Sequence, residues 1–279
     1  MKRKDALISF ISIILLAWTL FPVYNMVVTS LESYEDIWKT NYLPPKPTIE
    51  PYIQAITQSY WRLHLFWNWL WNSLKIALLV ALLSVIVSSL FGYSISNKSM
   101  LSEKIKDILS TTSILAYIFP SSLLSIPMFI LMFRYNLLNT DLSLTLALSI
   151  LTIPFNSWMA TQYFNEIPKE LREASQIDGA SNLIFFVKIL LPISTPMIIA
   201  ISVYSFMFSW NNYLYPLLLM SSEENFPLPV GMSSFLSSDD SPWNIFMATS
   251  IIYAFPPVII YYLFKKYLIS GLFRGAVKG

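Results

Sequence analysis

The sequence has no cysteine, a single histidine (His64) and only six glycines in 279 residues. Without cysteine there are no disulfides and no thiolate nucleophiles, and one histidine leaves no ordinary Cys/His zinc site. Charge is scarce as well: Asp, Glu, Lys and Arg make up 12% of the chain, against about 25% in a soluble domain. Few glycines and a high apolar content exclude collagenous and disordered chains. A net charge of +2 gives no electrostatic footprint for nucleic acid. What the chain does have is apolar surface, with 55% hydrophobic residues and a mean hydropathy of +0.57. This is the composition of a membrane protein.

A bilayer-spanning helix needs about 20 apolar residues almost free of charge. Six stretches lacking Asp, Glu, Lys and Arg are long enough: Ala6–Leu31, Ile76–Asn97, Ile108–Phe133, Leu142–Asn165, Ile189–Ser222 and Ser241–Phe264. Their runs of Leu, Ile and Phe do not alternate as barrel strands would. The expected fold is therefore all-α, a single polytopic domain of six transmembrane helices over residues 1–279. Its spans fall near 7–29, 74–96, 108–132, 142–163, 192–216 and 243–264. Between them lie connecting segments 30–73, 164–190 and 217–242, and a tail at 265–279. The first span follows Met-Lys-Arg-Lys but lacks a small-x-small cleavage site, and its apolar run is longer than that of a signal peptide. It reads as a retained signal anchor.

Lysine and arginine set the orientation. With the N-terminus in the cytoplasm, thirteen of the eighteen basic residues lie inside and both termini are cytoplasmic. Segments 30–73 and 217–242 are then outside and 164–190 inside. The outer stretch Tyr60–Trp71 holds four tryptophans and reads as an interfacial aromatic belt.

Absences within the spans exclude several functions. Ion-coupled transporters and proton pumps place Asp, Glu, Lys or His at membrane depth, and these runs hold none. Voltage-sensing arginines and the groups for intramembrane proteolysis are missing too. No catalytic or metal site is expected. No two glycines have P-loop spacing, so the chain binds no ATP or Mg of its own. Active transport would draw on a separate subunit docked on the inner face.

The segment Glu166–Asn182 is the natural place for such docking. Pro168 suits the start of a helix, Gly179 a left-handed end, and Ser181 the cap of a second helix running to Pro192. Leu171, Ala174 and Ile177 form a short apolar stripe at helical spacing, flanked by Glu170 and Glu173. Ala174 and Ser175 are small enough for close approach by a partner. A helix lying on lipid is the alternative, but such helices favour a Lys/Arg-rich polar face, and this one is mixed and slightly acidic.

Glu173-Ala174-Ser175, then Asp178-Gly179-Ala180 and Ile189-Leu190-Leu191-Pro192, resemble the E-A-A…G…I-x-L-P signature of ABC-importer permeases, with Ser175 in place of the second alanine. The resemblance continues at Asn72–Lys75, Ile126–Phe129, Pro154–Trp158, Leu228–Met232 and the Gly271–Gly279 tail. It is to the carbohydrate-uptake branch, the maltose-type G subunit in particular. It implies a prokaryotic plasma (inner) membrane protein that is not itself an enzyme. Such a protein works with a second permease subunit, two ATPase subunits that hold the ATP and Mg, and an extracytoplasmic solute-binding protein. The implied function is import of a sugar or oligosaccharide by alternating access. On this resemblance the coupling residues are Leu171, Glu173, Ala174, Ser175, Ile177, Asp178, Gly179 and Ala180. Gly275, Lys278 and Gly279 contact the ATPases. An importer of a polyol or glycerol phosphate, a passive channel or facilitator, and an anchoring scaffold remain as alternatives.

A sugar needs aromatic faces together with amide or hydroxyl groups. Spans four and five offer Asn156, Trp158, Tyr204, Ser205, Ser209, Asn211 and Asn212. Trp210 lies roughly 27 Å of helix from Pro192 and, like Tyr213, is expected in an interfacial belt. Pro120, Pro127, Pro154 and Pro256-Pro257 interrupt spans, either as satisfied kinks or as bending points.

Overall fold

The computed structural model describes residues 3–39, 42–97, 102–237 and 241–276, and every regular element among them is helical. Four helices are long and apolar enough to cross a membrane: α1 (Arg3–Ser30), α3 (Phe66–Ser96), α6 (Asp141–Asn165) and α13 (Trp243–Ala276). Short α2 (Glu50–Thr57) lies between the first two. The chain divides into two compact units, one of Met1–Leu70 with Val230–Pro256, the other of Trp71–Pro229 with Pro257–Gly279.

The third and fifth apolar runs are bent. α4 (Glu103–Ile118) and the segment Ser121–Arg134, which ends in α5 (Ser125–Arg134), meet at 93°. The cause is Pro120. A residue before proline is driven out of the helical region, and Phe119 adopts φ −66°, ψ 128°. Pro127 falls in the first turn of α5, where no intrahelical N–H is lost. Pro154 stays within continuous α6. In the fifth run, α8 (Asn182–Phe185) leads through a π-helical turn at Phe186–Leu190 into α9 (Leu191–Ile193). Residues Asn182–Ile193 then meet α10 (Thr195–Trp210) at 76°. Pro192 and Pro196 flank this break and remove two of its N–H donors. Short α11 (Leu214–Leu219) follows.

In the unit around α6, Ile76 and Val80 of α3 pack with Met128, Met132, Leu144, Leu148, Tyr215 and Leu219 into one buried cluster. Buried polar pairs join the helices. Ser84 and Thr152 hydroxyls are 2.8 Å apart, and Asn156 Nδ2 donates to Ser205 Oγ at 2.8 Å. Such bonds act as glue between helices in lipid. Asn72 Nδ2 donates to the carbonyls of Glu224 and Phe226, and Ser73 Oγ accepts from Leu228 N, so the start of α3 holds the 223–228 turn.

At Gly92, α3 and α6 approach closely. A Cβ there would lie 2.7 Å from Ala160 Cβ and 2.9 Å from the backbone of both Ala160 and Thr161. Gly92→Ala should therefore cost about 1–3 kcal/mol through overpacking and lower the melting temperature of the detergent-solubilised protein. Adding Ala160→Gly should recover part of the loss, because it removes one of the opposing atoms. An unchanged melting temperature in Gly92→Ala would contradict this contact.

In the other unit, Asn244 Nδ2 donates to Glu32 O at 3.0 Å, joining the start of α13 to the end of α1. The aromatic stretch Tyr60–Trp71, which runs into α3, is divided between surface and interior. Trp61, Trp67 and Trp71 are exposed at 70%, 46% and 57%, whereas Leu63, Phe66 and Trp69 are buried. Alternate helical faces divide the stretch between surface and core. Gly231, in α12 (Leu228–Gly231), lies against the Trp69 ring so closely that a Cβ would come within 2.3 Å of it.

Candidate functional site

The segment between α6 and α10 is built as two short helices joined by a tight turn. Pro168, at φ −56° and ψ 134°, is the N-cap of α7 (Lys169–Ile177). Gly179 takes φ +79°. Its N–H donates to Gln176 O and that of Ala180 to Ser175 O, at 3.0 and 2.9 Å. These are the paired 5→2 and 6→1 bonds of a Schellman cap. Ser181 Oγ then accepts from Ile184 N at 3.3 Å and caps α8.

α7 has two distinct faces. Leu171 packs against the cluster of Tyr93, Phe164, Phe185 and Phe186, and Ser175 is buried. The opposite face presents Glu170, Glu173, Ala174 and Ile177 to the outside, with Asp178 and Gly179 exposed at its end and Ala180 half-buried. Ile177 is 86% exposed. The stripe expected from sequence is thus divided: Leu171 faces inward, Ala174 and Ile177 outward. The inward face is the 171/175 pair, four residues apart. Glu173 takes part in no ion pair among the described residues.

Sequence reasoning missed Arg172. Its Nη2 donates to Asn182 Oδ1 at 3.0 Å, and its guanidinium lies 5.9 Å from the ring centres of both Tyr93 and Phe185. Tyr93 also donates to Asn182 O at 3.2 Å. One cation therefore ties α7 to α8 and to the end of α3 by a hydrogen bond and cation–π attraction. The ten-residue spacing from Arg172 to Asn182 gives no sequence signal, because only the turn at Gly179 brings them together.

The residues expected along a substrate path separate into two groups. Asn156, Ser205 and Ser209 are buried between helices, and Asn156 Oδ1 and Ser209 Oγ have no hydrogen-bond partner among the described residues. Asn212 Oδ1 accepts from Tyr215 N at 3.1 Å at the start of α11, and Asn211 Nδ2 donates to Met207 O at 2.9 Å. Trp158 and Tyr204 remain half-exposed, and each packs on Phe155. Trp210 does not belong to a surface belt. It is 2% exposed and stacks on Phe206 at 5.3 Å, because its position on α10 faces the neighbouring helices. Tyr213 is exposed. Gly275 lies in the last turn of α13, and Lys278 and Gly279 lie outside the described residues.

Residues 84–274 match the family described as the binding-protein-dependent transport system inner membrane component. The chain belongs to this family. This permease is 31% identical over 263 residues to the inner membrane ABC transporter permease protein YcjP of Escherichia coli, covering 94% of this chain and 92% of that one. It is 31% identical over 261 residues to the trehalose/maltose transport system permease protein MalG of Thermococcus litoralis, covering 93% and 92%. It is 29% identical to the arabinooligosaccharides transport system permease protein AraQ of Halalkalibacterium halodurans over the whole of both chains. A bacterial ABC transporter involved in import of the acidic polysaccharide alginate shares the fold, with a TM-score of 0.77 over 96% of this permease and 98% of that chain, at 20% identity. The protein is a multi-pass membrane permease subunit of a binding-protein-dependent importer, a transport component that works with an ATPase and a binding protein.

Proposed function

We propose that the permease imports a sugar or oligosaccharide, paired with a second permease subunit and driven by two ATPase subunits that carry the ATP and Mg. The observation that carries this reading is the outward face of α7, Glu170, Glu173, Ala174 and Ile177, which the chain leaves uncovered. It is an acidic and apolar surface on a helix tied by Arg172 to two others. The similarity to relatives named for trehalose/maltose and arabinooligosaccharides supports the substrate class. The thirteen of eighteen Lys and Arg that fall on the side of the termini support cytoplasmic termini, with α7 on that same, ATPase-facing side. The Gly275–Gly279 tail then reaches the ATPases, and the outer segments meet the binding protein.

Reconstitution tests this directly. Proteoliposomes holding the permease pair, the ATPase and the binding protein should accumulate at least one of maltose, trehalose or an arabino-oligosaccharide only when ATP is supplied. Equal uptake without ATP would contradict an importer and indicate a facilitator. ATP-dependent uptake of glycerol phosphate alone would overturn the sugar assignment.

A further inference from the structure

The ends of three apolar runs meet around a small polar cavity in the unit around α6. Ser96 at the end of α3, Glu103, Lys106 and Asp107 at the start of α4, and Gln162 and Asn165 at the end of α6 line a space of about 220 Å³. The three helices leave their charge-free runs here, at Asn97, Ile108 and Asn165. The cavity therefore sits where hydrocarbon gives way to lipid headgroups. It has the volume of roughly seven waters at about 30 Å³ each, below the roughly 300 Å³ at which drug-sized sites begin. It suits a headgroup.

Lysine is almost never fully buried unless it is paired, yet Lys106 is only 5% exposed. Its Nζ donates to Glu103 Oε1 at 3.0 Å, and that glutamate side chain is 73% exposed. The match is thin. An ammonium has three donors, and a water-facing carboxylate returns little of the cost of burying a charge. The other two donors meet no partner among the described residues. Asp107 lines the same cavity and joins no ion pair among them. α4 also begins here without a side-chain cap, and the start of a helix favours a negative group. The amides of Gln162 and Asn165 can donate or accept.

A buried cation with unfilled donors beside two carboxylates, at headgroup level, fits a ligand that carries both an anion and a primary ammonium. We infer that this cavity holds the headgroup of a phosphatidylethanolamine. The phosphate accepts from Lys106, and the ammonium donates to Asp107 and Glu103. A purely anionic headgroup would bring its charge against those two carboxylates, and a choline headgroup has no N–H to donate to them. Ile105, Ile108 and Leu115 share one helical spacing and are exposed at 46%, 54% and 59%. They run from the level of the cavity along α4 into the hydrocarbon and give the acyl chains an apolar face. A lipid held there joins the ends of α3, α4 and α6.

Native mass spectrometry tests this on the full-length permease, stripped of lipid in mild detergent and given back one dioleoyl lipid at a time. The wild type should hold phosphatidylethanolamine about tenfold more tightly than phosphatidylcholine or phosphatidylglycerol, the size of one charge-assisted hydrogen bond. Lys106→Met keeps the length without the charge and should weaken that binding about tenfold, whereas Lys106→Arg should retain it. Asp107 is exposed, so Asp107→Asn leaves the packing intact and carries the test if Lys106→Met does not fold. It should remove the preference for ethanolamine over choline. Inorganic phosphate should not displace the lipid. Equal retention of the three lipids by the wild type, or phosphatidylethanolamine binding unchanged in Asp107→Asn, would overturn the inference. Tighter binding of phosphatidylglycerol would mean that the cavity reads phosphate alone, and displacement by inorganic phosphate would assign it to a free anion. Either result overturns the ethanolamine headgroup.

Discussion

Glu173→Lys should abolish binding-protein-stimulated ATP hydrolysis and uptake while the protein inserts and purifies normally. Glu173 lies on the exposed face of α7 and joins no ion pair among the described residues. The folded chain therefore loses no internal contact when the charge is reversed. On the proposed docking surface, a carboxylate that meets a basic ATPase residue would become a like-charge pair. Losing one member of a desolvated charge pair costs about 2–5 kcal/mol, so ATPase affinity should drop roughly 100-fold at about 1.4 kcal/mol per decade. Glu173→Gln should be milder, since it removes the attraction without adding repulsion. Co-purification of the ATPase with each variant measures this. Equal ATPase recovery with the wild type and both variants would remove Glu173 from the docking surface.

Gly179→Val should uncouple ATP hydrolysis from uptake through the backbone. At φ +79° a side chain is conformationally strained, yet a Cβ there would meet nothing within 4 Å. The cost is therefore intrinsic to the left-handed conformation, about 1–2 kcal/mol for an L-residue and greatest for a β-branched one. The chain can relieve it by opening the Schellman cap. That changes the angle between α7 and α8 and pulls Arg172 from Asn182. The series Gly179→Asn, Gly179→Ala, Gly179→Val should show progressively less sugar imported per ATP hydrolysed, since Asn tolerates this region best. If Asn were as damaging as Val, the glycine would be needed for close approach of the ATPase and not for its conformation.

The features legible in the sequence are those set by local chemistry. Charge-free length marks the apolar runs, and Pro168, Gly179 and Ser181 mark the two ends of the docking turn by their conformational preferences and capping. Features that depend on which way a helix faces were not legible. Leu171 and Ile177 share an apolar spacing, but the cluster around Tyr93 and Phe185 takes only Leu171. Trp210 near a span end resembles a belt residue until α10 turns it onto Phe206. The third run reads as one span because hydropathy does not register a bend. Pro120 signals a kink, but not that Phe119 leaves the helix and the axis turns by 93°.

Accessibility of Ile177 is the most direct test of the central claim that the outward face of α7 seats an ATPase. In the cysteine-free chain, Ile177→Cys places one thiol at a position that is 86% exposed. A bulky, membrane-impermeant maleimide should label it from the cytoplasmic side of membranes stripped of the ATPase, and adding the ATPase should protect it. Labelling from the opposite side, or at the same rate with and without the ATPase, would contradict the account.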